Sequence, residues 1–251
     1  MSTPTAMPGS GAGEPAKIGA LGRVIGVLTN PKETFADIVR KPSWLAPVIL
    51  SGVLGLAFAY VMSQRVDWHA FIRQQIEQSP SAANLSTEQI NQRATGGARI
   101  APIFGYVFGP LGGLIFSLWL GLIYWGAFNL FAGVSARFMQ AWGVAAHAMM
   151  TTLVASPITI LVMFLKEKGD VDPNNLLASS AGAFLANDAP QWMKSLGNSF
   201  ELFWFWTLFL LATGFVAINP KKLAMGKALG IVIGVWLVGV LIKVGWTMAF
   251  S

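Results

Sequence analysis

Five stretches of this chain run for at least 19 residues while holding no more than two charged side chains each, and that feature limits its fold more than any other. They are roughly Trp44 to Met62, Ile103 to Phe131, Phe138 to Leu165, Phe200 to Ile218 and Leu223 to Phe250. Each can cross ~30 Å of hydrocarbon at ~1.5 Å per residue, and as a helix each pairs its own peptide groups inside lipid. With 54% hydrophobic and 11% charged residues, there is too little polar surface to clothe a soluble domain, which excludes a water-soluble enzyme and a disordered chain. Continuous runs also argue against a β-barrel, whose strands alternate over ~10 residues. The expected fold is all-α: a polytopic transmembrane helical bundle of five spans with amphipathic interfacial helices.

Residues 1–17, rich in Pro, Gly and small polar side chains, have too little apolar surface to offset ordering and are expected to be a disordered tail without a cleavable signal. Residues 18–42 read as two interfacial helices. Ile18, Leu21, Val24, Ile25 and Leu28 recur at helical spacing, with Lys17 and Arg23 on other faces. Asn30 then stands as a cap, Pro31 fits the first helical position, Glu33 can reach back to the cap backbone, Phe35 opens an apolar side and Pro42 ends the helix. The remainder, 43–251, forms the five-helix domain with loops at 64–101 and 166–199. In the first loop Trp68, Phe71, Ile72 and Ile76 form an apolar helical stripe, and Ser86 and Gln89 make a capping box for a second short helix ahead of Gly96 and Gly97; in the second loop Asp172 and Asp188 look like helix starts. Pro110 and Pro157 are expected kinks, and Trp44, Trp142, Trp192, Trp204, Trp206 and Trp246 an interfacial aromatic belt.

Basic residues set the expected orientation. With a cytoplasmic N-terminus, nine Lys and Arg fall inside and seven outside, and eight of the eleven acids fall outside. The N-terminus is therefore expected in the cytoplasm and the C-terminus outside. The net charge of +6 reads as attraction to an anionic inner leaflet, not to nucleic acid, because no basic and aromatic surface accompanies it. The absence of cysteine removes disulfides, thiolate metal sites and cysteine nucleophiles.

Ionisable and polar groups within the spans are the candidate functional residues, because each is costly in lipid unless paired or hydrated. Counting outward from the turn near Ser135 puts His147 level with Tyr124, within reach of a hydrogen bond, with Asn129 closer to the turn. The same count puts Lys243 level with Glu201, so that an ion pair competes with snorkelling of the lysine to the headgroups. Two stripes of small residues, Gly105, Gly109 and Gly113 in the second span and Gly226, Gly230 and Gly234 in the fifth, invite close helix contact. The first stripe, broken by Pro110, also reads as a deformable gate. If the fourth span packs on the second stripe, Lys243 must point elsewhere. No G-x-S-x-G, H-E-x-x-H, P-loop or intramembrane acidic pair is present, so no catalytic residue, cofactor or metal is expected; Glu167, Asp170, Asp172 and Asp188 read as solvated loop acids.

The capped N-P-x-E-T-F helix ending at proline (Asn30, Pro31, Glu33, Thr34, Phe35, Pro42) lies ahead of five spans. A short polar turn, Val134 to Phe138, separates the second span from the third. The arrangement resembles the prokaryotic branch of the Yip (Ypt-interacting protein) membrane family, across roughly Leu21 to Phe250. The resemblance implies a five-helix membrane domain with a cytoplasmic N-terminus, in the inner membrane of a prokaryote, and in eukaryotic relatives contacts with small GTPases in vesicle traffic. This sequence lacks the acidic, tyrosine- and glycine-containing motif of those relatives. Two functions from different classes then stand side by side. One is a non-catalytic protein that organises the bilayer, or protein partners in the membrane, through helix packing and interfacial helices, self-association included. The other is a transporter or channel for a small solute, ion or lipid along His147, Asn129, Tyr124 and Lys243.

Overall fold

The computed structural model describes residues 18–174, 176–186 and 189–250; the tail at 1–17 and Asp188 lie outside the described residues. Ten α-helices are described: α1 (Ala20–Thr29), α2 (Pro31–Arg40), α3 (Leu45–Arg65), α4 (Trp68–Glu77), α5 (Thr87–Ala132), α6 (Phe138–Ala148), α7 (Thr152–Leu165), α8 (Gln191–Gly197), α9 (Leu202–Ile218) and α10 (Met225–Phe250). The spans 45–65, 87–132, 138–165 and 225–249 are long and apolar enough to cross a membrane, and α9 adds an apolar helix of 17 residues, the shortest length that spans. The protein is an integral, multi-pass membrane protein.

The segment 64–101 is mostly helix, and its second helix, expected to be short, is not. Ser86 and Gln89 do form the capping box, but the helix they open continues for 46 residues to Ala132. Gly96 and Gly97 do not break it because α4 packs alongside: a Cβ at Gly97 would stand 2.9 Å from Ile72 Cδ1. The ~1 kcal/mol that a mid-helix glycine costs is thus exchanged for a close contact between helices. In the third span the interruption is a 3₁₀ turn at Met149–Thr151, six residues ahead of Pro157, which itself sits inside α7.

α3 and α5 pack through small residues on both sides. Gly105 faces Ala59, Gly109 faces the Gly55 carbonyl and Gly113 faces Ser51, so the expected close contact on the first glycine stripe is present, with α3 as its partner. Gly109 and Pro110 lie under Gly55, and a Cβ at Gly109 would stand 2.7 Å from the Gly55 oxygen. In lipid, where oily side chains gain little by leaving the solvent, this kind of backbone approach is what holds helices together.

The larger apolar core lies at the end of the bundle that carries α2, together with the α5–α6 and α9–α10 turns, and a smaller one joins Val61, Val66, Met163 and Val171. Phe128 and Phe215 stack at 4.0 Å, and Tyr124, Leu211, Phe35 and Ile38 are buried around them. Trp142 belongs to this interior and not to the aromatic belt: it is 8% exposed, stacks on Trp44 at 4.2 Å and donates to Ser117 Oγ at 3.2 Å.

Candidate functional site

Two features stand apart from ordinary packing, a polar clasp at the α2 end and an open face on α10. The clasp begins with a correction. Arg23 is not on a polar outer face: its guanidinium is buried and meets Asp37 at 2.8 Å, with Nη1 donating to the Lys41 carbonyl at 2.9 Å and to Ser43 Oγ at 2.7 Å. One arginine thus ties α1 to α2 and to the chain entering α3. A lone charge there would cost several kcal/mol; the pairing and the extra acceptors satisfy it. Asp37 follows Thr34 by three residues and precedes Ile38, and that helical face is the buried one.

The same buried face overturns the view of α2 as a helix resting on lipid. Phe35, Ile38 and Val39 are inside the protein, against α6 and α9. Gly143 and Gly214 make the room: a Cβ at Gly143 would lie 3.1 Å from the Ser43 carbonyl, and one at Gly214 would lie 3.1 Å from Phe35 Cδ1. Gln140 Nε2 donates to the Val39 carbonyl at 3.0 Å and fixes the C-terminal end of α2. Pro31 occupies the first helical position as expected, with Pro42 just beyond the end. Asn30 makes no side-chain cap; its Nδ2 donates to Glu33 Oε2 at 2.7 Å, so Glu33 meets the Asn30 side chain and not its backbone.

The proposed bond between Tyr124 and His147 and the proposed ion pair of Lys243 with Glu201 are both replaced by other contacts. Tyr124 and His147 are both buried but do not bond to each other. Tyr124 donates to the Val232 carbonyl of α10 at 3.1 Å, while His147 Nδ1 lies 2.8 Å from the Gly143 carbonyl one turn back. Asn129 closes the α5–α6 turn, donating to the Ala136 carbonyl at 3.1 Å and accepting from its N–H at 2.7 Å. That grip holds Ser135 at φ 57°, beside Gly133 at φ 58°, a left-handed conformation that glycine adopts freely and serine at a cost of ~1–2 kcal/mol. Lys243 Nζ donates to the Ser195 carbonyl at 3.1 Å and to Ser199 Oγ at 3.2 Å. Glu201 instead caps α9, accepting from the N–H groups of Phe203 and Trp204 at 3.1 and 2.7 Å and from Ser179. A carboxylate is favoured at a helix N-terminus, so in place of an ion pair Lys243 and Glu201 form two separate anchors. Asp172 accepts from the Asn174 N–H in a turn and starts no helix, and among the described residues no group of acids and histidines could hold a metal ion.

The second feature is the α10 stripe. Ala228 and Val232 are buried against the bundle, and Gly226, Gly230 and Gly234 fall on another side of the helix. A Cβ at any of these three would meet nothing within 4 Å. α9 does not pack on the stripe, so the condition that would turn Lys243 elsewhere is not met. Ile233, Leu237, Val238 and Leu241 are exposed close by.

A family model of the Yip1 domain matches residues 25–246, from within α1 to near the end of α10. The chain belongs to the Yip1 domain family. Among its relatives, the membrane protein YknW of Bacillus subtilis is 26% identical over 220 residues, covering 87% of this chain and 86% of that protein. No solved structure matches. In this Yip1-domain protein the N-P-x-E-T-F segment, which carried the resemblance, is the helix whose Thr34, Phe35 and Asp37 lie in the clasp and its underlying core. The arginine at the centre of the clasp was the part missed in the sequence, where 14 residues separate the two charges. The buried position of Asp37 beside Thr34 and Ile38 was the available signal.

Proposed function

We propose that this protein is a non-catalytic organiser of the membrane that docks a transmembrane helix of a partner membrane protein on the glycine face of α10. The observation that carries this reading is the open space at Gly226, Gly230 and Gly234, on a helix whose other side is packed. Stripes of this spacing let backbones approach closely, which is the main attraction available between helices in lipid. A path for solute or ion has less support, because Tyr124, Asn129 and Lys243 are each bonded to protein groups that fix the helices or turns around them; His147 is bonded through Nδ1 alone, and its buried Nε2 has no partner among the described residues. In this reading the clasp and α2 sit on the cytoplasmic side, where the basic residues concentrate, and the C-terminus lies outside.

The chain has no cysteine, so single cysteines report cleanly. In native membranes Gly230→Cys and Gly234→Cys should give a discrete cross-linked product, while Leu122→Cys, 54% exposed on α5, gives none. Equal cross-linking at all three positions would remove the docking face, and a product of two identical chains would make a second copy the occupant. A membrane-impermeant maleimide should reach Met248→Cys from outside and Lys32→Cys only after the membrane is opened. Labelling of both from one side would overturn the orientation.

A further inference from the structure

A cavity of about 420 Å³ opens between α3, α5 and the start of α7. α5 and α7 both flank α3 but part from each other, and the 3₁₀ turn at Met149–Thr151 lies where they separate. The lining is almost wholly apolar, with few polar side chains such as Ser51 and Ser156. Phe104 and Phe108, stacked at 5.4 Å and exposed, form a lip on α5. The order of the α3–α5 contacts gives the cavity a direction. Ser51 meets Gly113, Gly55 meets Gly109 and Ala59 meets Gly105, so Met62 and Trp68 lie at the end away from α2. From Ser51 to Met62 the helix rises ~16 Å, about half of a ~30 Å hydrocarbon core.

One polar group belongs to this cavity and is not satisfied by the protein. Trp68 is among its lining residues, and its Nε1–H is buried without an acceptor. A buried N–H with no partner costs ~1–3 kcal/mol, and tryptophan in a protein interior ordinarily finds one. An oily slot the depth of one leaflet, open toward lipid along its side, with a single donor at its headgroup end, matches one kind of molecule.

We propose that this cavity binds one acyl chain of a phospholipid from the leaflet at the α4 end, and that Trp68 Nε1–H donates to the ester carbonyl at the top of that chain. The α10 face plays no part in this, so the site stands whether or not a partner helix docks there. Gly112 provides the test. It lines the cavity, and a Cβ added there meets nothing within 4 Å, so Gly112→Leu brings a bulky side chain to the slot without a clash at its Cβ. Gly126→Leu, equally open and elsewhere on α5, is the control.

The protein is reconstituted in vesicles of phosphatidylglycerol and phosphatidylethanolamine containing a diester phospholipid with a photoactivatable diazirine on one chain, or its ether-linked analogue, which lacks the carbonyl. On irradiation the ester probe should label 104–113 and 152–156 above every other lipid-exposed segment. Labelling should fall several-fold in Gly112→Leu and stay unchanged in Gly126→Leu. The ether probe should label the wild type several-fold less than the ester probe, and Trp68→Phe, which keeps a ring and removes the donor, should erase that difference. Uniform labelling of all lipid-facing helices, or equal labelling by the two probes in the wild type, would overturn the proposal. Should Gly112→Leu not fold, the ester and ether comparison in the wild type still decides.

Discussion

Gly105, Gly109 and Gly113 on α5 and Gly226, Gly230 and Gly234 on α10 share the same four-residue spacing and have opposite surroundings. Across from the first stripe, α3 presents Ser51, Gly55 and Ala59 at matching intervals, and the helices close until no Cβ fits at Gly109 or Gly113, while one at Gly105 would just touch Ala59 at 3.6 Å. Across from the second there is nothing within 4 Å. α9, the neighbour of α10 along the chain, brings Trp204, Phe205, Trp206 and Phe209 to its surface, and its own Gly214 is filled by Val144 and Phe35. Spacing thus states that a helix can be approached closely. The complementary stripe on a second helix decides whether it is; among the described residues α3 supplies one to α5, and none faces the α10 stripe.

The sharpest way to break that comparison is to put the same side chain on both stripes. Gly109→Leu forces atoms into the Gly55 carbonyl, and folded, monodisperse protein should not be recovered from detergent extraction. The clasp comes next in size. Asp37→Ala strands the buried Arg23 and should lower stability by ~3–5 kcal/mol, measured by denaturant unfolding in micelles, whereas Arg23→Met combined with Asp37→Leu should recover most of it. Tyr124→Phe removes the bond to Val232 that ties α10 to α5 and should cost ~1 kcal/mol in the same assay. At the small end, Gly230→Leu should leave unfolding within ~0.5 kcal/mol of the wild type while abolishing cross-linking from Gly234→Cys. A loss in Gly230→Leu as large as in Gly109→Leu would end the distinction between a filled stripe and an open one.

The membrane-spanning helices were legible in the sequence because run length and lipid thickness leave few choices. Their partners were not. Counting residues from a turn gives the height of Tyr124 and His147 but not the direction in which each points around its helix; one turns to α10 and the other folds back on Gly143. Glu201 was placed level with Lys243, yet the N-terminus of α9 lies closer to hand and holds the carboxylate. Gly96 and Gly97 resembled a break because the sequence does not show that Ile72, on α4, sits against Gly97. The clasp was half visible: Asp37 falls on the apolar face of α2, but its arginine lies on another helix.

The continuity of α5 through Gly96 and Gly97 has a mechanical consequence. A segment expected to hold short helices that stop at Gly96 and Gly97 contains a continuous post: from Thr87 to Pro102 the helix rises ~24 Å, braced by α4 along its flank. A push on the tip near Ser79 and Ser86 is therefore passed along helix, by way of Pro102, to the Gly105–Gly113 seam instead of being absorbed by a loop.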